Sequence, residues 1–184
     1  MKFLEIRNDD ILQIGWSSKD QQERIKGKNM FEIFLETDRL FERYNYPCTL
    51  AVLSDGIKYY PKWVEHIRKH KDRYKIELHG SHHYNYSKFN REKLKTDLKE
   101  AINKIEFTFN TKITTWYPPF GRKGENEYGI EVCKELGIEQ FIQKGKVDAA
   151  LWLLYPDKYF HVNFHYWYKT QVEVVEKILH QLHK

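Results

Sequence analysis

The chain has 184 residues, 41% of them hydrophobic and 31% charged, with a formal net charge of +5 and two cysteines. That length suits one domain spanning residues 1–184, able to bury a substantial core without disulfides or a structural metal, which sets aside small disulfide scaffolds and disordered chains. The positive charge raises the question of nucleic acid, but the basic residues of 62–75 and 91–104 are interleaved with Glu and Asp, as on solvated helix faces, so no nucleic-acid partner is expected.

In chain order, Phe3 to Ile6 reads as a short strand that runs directly into Asn8-Asp9-Asp10. Met30 to Tyr44 carries Phe31, Phe34, Leu35, Leu40 and Phe41 at helical spacing, and Pro47 ends it. Thr49 to Leu53 is a second strand, closed by the turn Ser54-Asp55-Gly56. Pro61 opens a helix with Trp63, Val64 and Ile67 on one face. Tyr74 to Leu78 is a third strand, delivering His79 to its carboxyl end. Asn90 caps an amphipathic helix to Phe107, with Leu94, Leu98, Ala101, Ile102 and Ile105 on one side. Lys112 to Tyr117 reads as a strand stopped by Pro118-Pro119, Glu127 to Leu136 as a helix ended by Gly137, and Gln140 to Gln143 as a fifth strand. Tyr159 to Phe164 is a strand leading to His165, and Val172 to Leu182 is a closing helix.

Strands alternating with helices imply parallel pairing in an α/β domain of the barrel or open-sheet kind, whose sites gather at the carboxyl ends of the strands. The charges at Glu5, Arg7, Asp9 and Asp10 interrupt any signal-peptide-like run, and the densest apolar run, 149–155, is too short for a membrane span. With Cys48 and Cys133 read as buried thiols, a cytoplasmic protein with no membrane partner is expected.

The residues beyond the strands can do chemistry. Asp9-Asp10 can divide cation binding and proton abstraction between two carboxylates, although aspartates also cap turns after strands. His79 and His83 can meet on one side of a cation through a helical turn or through a tight turn at Gly80. Pro118-Pro119-Phe120-Gly121 is rigid backbone that can aim an N–H at a developing oxyanion, or simply end a strand. His161, Asn163 and His165 share one side of an alternating run, so either histidine can serve as a general acid near neutral pH, or be satisfied inside an aromatic core.

Taken in order, Asp9-Asp10, the His79 to His83 segment, Tyr117-Pro118-Pro119-Phe120-Gly121 and His165 resemble the motifs of the polysaccharide deacetylase family, also called carbohydrate esterase family four. The resemblance implies a distorted parallel β/α barrel of about six or seven strands. It implies a divalent metal on Asp10, His79 and His83, zinc first, with cobalt, nickel or iron compatible with the same ligands. Asp9 would be the general base and His165 the acid that protonates the leaving amine. Tyr117, Pro119, Phe120 and Gly121 would meet the substrate and its oxyanion. The implied reaction hydrolyses the acetamide of an N-acetylated sugar, with water or the acetyl oxygen filling the open metal positions and acetate released. A sugar-binding protein on the same scaffold is the alternative. The chain departs from the pattern in carrying Ile11 where the family usually has glycine, Gly80 where it has Ser or Thr, and Tyr117 where an arginine would pair with the catalytic aspartate. Arg122 or Arg7 is then the candidate charge partner, and Asp148 a candidate acidic partner for the late histidine.

Overall fold

A computed structural model describes residues 4–14, 29–142 and 160–183. Six strands pair in parallel: β1 (Leu4–Ile11), β2 (Cys48–Leu53), β3 (Tyr74–Gly80), β4 (Thr115–Trp116), β5 (Glu139–Gln140) and β6 (Phe160–Phe164). Their order is β5-β4-β3-β2-β1-β6, and the sheet curls into a half-barrel, the distorted α/β barrel of the expectation. Five helices accompany it: α1 (Met30–Arg43), α2 (Pro61–Lys69), α3 (Arg91–Phe109), α4 (Gly129–Glu135) and α5 (Lys169–Leu182).

Local chemistry sets the helix ends. The Asn29 side chain accepts from Phe31 N at the start of α1, and Asn90 accepts from Lys93 N at the start of α3, each satisfying an otherwise unpaired N–H of a first turn. Pro61 opens α2 where its missing N–H costs nothing. Gly137, at φ +72, ends α4 in the left-handed region open to glycine.

The strands sort their side chains by period two. Ile6, Leu50, Val52, Ile76, Leu78, Trp116 and Phe164 join one core with Phe34, Phe41, Trp63, Ile67, Leu94, Leu98, Ile105, Val132 and Leu179 from the helices. The alternate residues of β1, Glu5, Arg7 and Asp9, carry charge and share one face with polar partners on neighbouring strands. Cys48 and Cys133 are both buried and unpaired, as expected of core thiols.

β1 is longer than the apolar run implied, because Asn8, Asp9 and Asp10 continue the strand rather than following it, Asn8 accepting from Tyr166 N and the two aspartates lining the polar pocket. β4 and β5 are shorter than expected, each contributing two paired residues. The expected Phe3, Gln143, Asp148, Tyr159 and the apolar run 149–155 lie outside the described residues. Among the described residues no helix is long and apolar enough to cross a membrane.

Candidate active site

The two aspartates are aimed by a backbone irregularity. Pairing of β1 with β2 shifts register between Asn8 and Ile11, and Asp10 within that bulge has φ 61, a left-handed conformation that a non-glycine residue adopts at a cost of roughly 1–3 kcal/mol. The bulge lets consecutive residues 9 and 10 line the same pocket, where a regular strand would send them to opposite faces. That pocket, of about 220 Å³ at the carboxyl ends of the strands, is lined by Arg7, Asp9, Asp10, His79, His83, Pro118, Phe120, Gly121, Asn163 and His165.

Asp10, His79 and His83 offer ligand atoms that all lie within 4.8 Å of one another. His79 Nε2 stands 3.2 Å and His83 Nε2 3.1 Å from Asp10 Oδ1. Two tetrahedral ligands bonded at about 2.0–2.1 Å would be separated by about 3.3 Å, so this spacing suits a shared ion. The tautomer agrees: His79 Nδ1 lies 2.6 Å from the Tyr117 carbonyl, which can only accept, so Nδ1 carries a proton and Nε2 is the nitrogen that, in the neutral tautomer, turns its lone pair toward Asp10. Asp10 Oδ1 is buried without a hydrogen-bond donor among the described residues. A lone pair facing a buried carboxylate oxygen asks for a cation between them, and the residues present fit a divalent metal. Burial by itself raises the Asp10 carboxyl; when the His79 and His83 rings are protonated and donate to it, they more than offset this and hold the group far below the usual carboxylate range.

The loop bearing the histidines is clamped from behind. Gly80 has φ +144, and a Cβ there would collide with the Tyr86 hydroxyl, so the glycine is required where the resemblance expects Ser or Thr. That hydroxyl accepts from Ser81 N at 3.0 Å and donates to Asp97 Oδ2 at 2.8 Å, while Ser81 Oγ donates to Asp97 Oδ1 at 2.5 Å. Asp97 and Tyr86 escape sequence reading because they sit on α3 and in the loop after β3, inside ordinary periodic or aromatic patterns. His82, between the two histidines, turns instead toward Asp55, 3.7 Å away.

Asp9 is buried, and its charge partner is Arg7, not Arg122. Arg7 Nε reaches Oδ1 at 2.5 Å and Nη2 reaches Oδ2 at 2.8 Å, a bidentate pair formed because residues i and i+2 of a strand share a face. Arg122 is exposed in the turn after Phe120. Burial alone raises the Asp9 carboxyl, and the Arg7 guanidinium outweighs it, so the group lies below its ordinary value. Asn163 Nδ2 adds a contact at 3.3 Å.

His165 faces Asp10 across the pocket, Nε2 to Oδ2 3.6 Å. The Gln171 amide oxygen accepts from His165 N at 2.7 Å and meets Nδ1 at 3.1 Å, so Nδ1 is a donor and Nε2 is the atom turned to the pocket. His161 lies deeper, its Nδ1 3.3 Å from Glu5 Oε2, and is not a lining residue. Phe120 has φ 64, is 55% exposed, and sets its ring 4.5 Å from that of His83. Within the described residues no hydrogen bond takes its N–H. Tyr117 and Pro119, expected beside the substrate, stand back from the pocket. The Tyr117 ring turns inward to donate to Glu5 Oε1 at 3.0 Å, and the Pro119 carbonyl packs against Gly124.

The polysaccharide deacetylase family matches residues 33–141, more than half of the sequence. The chain belongs to that family. The matched stretch contains His79, His83 and Phe120, whereas Asp9, Asp10 and His165 lie outside it. Among solved structures, a family 4 carbohydrate esterase pseudoenzyme from Bacillus anthracis is 13% identical with a TM-score of 0.67, over 98% of this chain and 60% of its own. A mutant of that pseudoenzyme with restored enzymatic activity is 14% identical, TM-score 0.68, over 98% and 62%. A polysaccharide deacetylase from Bacillus cereus is 17% identical, TM-score 0.67, over 99% and 87%. The chain therefore spans about three fifths of the first two relatives and most of the third. No curated protein matches.

Proposed function

We propose that this chain is a single catalytic domain, a metal-dependent hydrolase that removes the acetyl group from an N-acetylated sugar. The observation that carries the reading is the lone pair of His79 Nε2 and the donorless Asp10 Oδ1 facing each other at 3.2 Å beside His83. Asp10, His79 and His83 would hold the ion, zinc first; when bound it polarises the acetyl carbonyl and eases deprotonation of water. Asp9, ionised and fixed by Arg7, accepts the proton of the attacking water. The Phe120 N–H, which no hydrogen bond takes among the described residues, donates to the oxyanion as the carbonyl carbon becomes tetrahedral. His165 Nε2, kept proton-competent by the Gln171 anchor on Nδ1, protonates the leaving amine. Two buried free thiols suit the reducing cytoplasm proposed for it.

A non-catalytic sugar-binding protein is the second reading, favoured by Tyr117 in the arginine position and by a pseudoenzyme sharing the fold. Acetate release from N-acetylglucosamine oligomers, with zinc or cobalt added, decides between them. Turnover in the parent that is lost in Asp9→Asn and His83→Ala supports the hydrolase. A parent no faster than those variants, across several sugars, leaves the binding protein.

A further inference from the structure

We propose that Arg7 is the positioning residue for Asp9 and that Tyr117 and Phe141 are its seat, so that the guanidinium expected from position 117 arrives instead from β1. The role of Asp9 rests on the hydrolase reading; the pairing does not. Both partners are withdrawn from water, with side chains 8% and 6% exposed, and two parallel N–H groups engage the two carboxylate oxygens, which fixes the carboxylate plane as well as its place.

A guanidinium is planar, and this one has walls. Arg7 Cζ lies 4.0 Å from the Tyr117 ring centre and 5.2 Å from that of Phe141. The Tyr117 ring is itself held from below: its hydroxyl donates to Glu5 Oε1, which also accepts from Thr49 Oγ1 at 2.8 Å, and His161 stacks on it at 5.8 Å with an interplanar angle of 16°. Glu5, Arg7 and Asp9 thus alternate in charge along one face of β1, each the neighbour of the next. Positions 7 and 117 exclude a second arginine, because one at 117 would remove the ring on which Arg7 lies and add a like charge beside it. The missing arginine and the unexpected tyrosine are one rearrangement.

Turnover of N-acetylglucosamine oligomers by the metal-loaded protein tests the role. Arg7→Gly should lose about a hundredfold in kcat, the scale of a misplaced catalytic group, with KM and metal content kept within twofold. Methylguanidinium should restore Arg7→Gly at least tenfold and leave Asp9→Asn unchanged. Arg7→Lys, which keeps the charge but cannot bridge both oxygens, should lose at least tenfold, and Tyr117→Leu about tenfold. A urea-denaturation cycle on Arg7→Met and Asp9→Asn reads the pairing without turnover: the double variant should lose less stability than the two single losses added. Full kcat in Arg7→Lys, or additive losses in the cycle, overturns the proposal. A parent that releases no acetate ends the hydrolase reading, and the cycle then decides the Arg7–Asp9 pairing by itself.

Discussion

The molecule contains three H-x-x-x-H segments, and two of them, 66–70 and 79–83, each against a buried aspartate, have opposite characters. His66 of α2 and His70, which caps its carboxyl end, lie one turn apart with rings 4.6 Å apart, and His66 faces Asp38 of α1. Asp38 is saturated: His66 Nε2 donates at 2.9 Å, Arg73 Nη2 at 3.0 Å, and Tyr74 donates through its hydroxyl, so that one carboxylate ties α1, α2 and β3 together. Asp10 meets two imidazoles yet has an oxygen with no donor, on a strained residue at the mouth of the barrel. The helical pair at the expected spacing is the satisfied, structural one; the other pair is brought together by a strand end and the Gly80 turn. Satisfaction, not spacing, distinguishes a strut from a candidate ligand set.

Removing a ligand should give the largest effect. Asp10→Ala or His79→Ala should lose the divalent ion after dialysis, a drop of more than about a hundredfold in affinity, while Asp38→Asn keeps it, as read by plasma emission. Metal retained by Asp10→Ala breaks the comparison.

Stability should run the other way. Asp38→Ala removes the acceptor shared by His66, Arg73 and Tyr74, leaving Arg73 only Glu42, and should lower the unfolding free energy by about 3 kcal/mol in urea. Asp10→Gly should change that of the metal-free protein by no more than about 1 kcal/mol, since the strain relieved at φ 61 offsets the lost attraction between the carboxylate and the His79 and His83 rings. Equal losses in both variants would make Asp10 a second strut.

The clamp sharpens the contrast more modestly. Asp97→Asn, which weakens the hold on Ser81 and Tyr86, should reduce metal affinity about tenfold in a chelator competition and leave the urea midpoint near that of the parent. An unchanged affinity would detach α3 from the site.

The smallest effects are in pH. His161 titrates below its ordinary 6.5, because burial disfavours the charged ring; Glu5 opposes this and Arg7 adds to it. The unfolded chain therefore takes up the proton first as pH falls, so stability is complete above that value and declines toward the folded one. His161→Phe should remove this slope in unfolding free energy measured against pH. Asp9 acts further into acid: its folded value is lowered, so its contribution is present above the ordinary carboxylate range and lost as pH falls through the folded value. Asp9→Asn should flatten that acid limb and leave the His161 slope in place.

Much of the fold was legible locally. Caps at Asn90 and Pro61, the Gly137 stop, and apolar stripes such as Leu94–Leu98–Ile105 announce their helices, and short apolar runs announce β2 and β3. The polar half of β1 was not, because strand residues facing a charged interior look like a loop. The two-residue strands β4 and β5 were overextended for the opposite reason, as apolar side chains continued past the last ladder bond.

Residue types and their order along the chain determined the family pattern and its candidate aspartates and histidines, because chemistry of that kind requires particular side chains. Only the tertiary structure decided which arginine holds Asp9, that Tyr117 faces inward, and that Asp97 braces the histidine loop. Those are contacts between residues distant in sequence or hidden by strand alternation, set by how a parallel sheet curls and where one bulge turns a carboxylate.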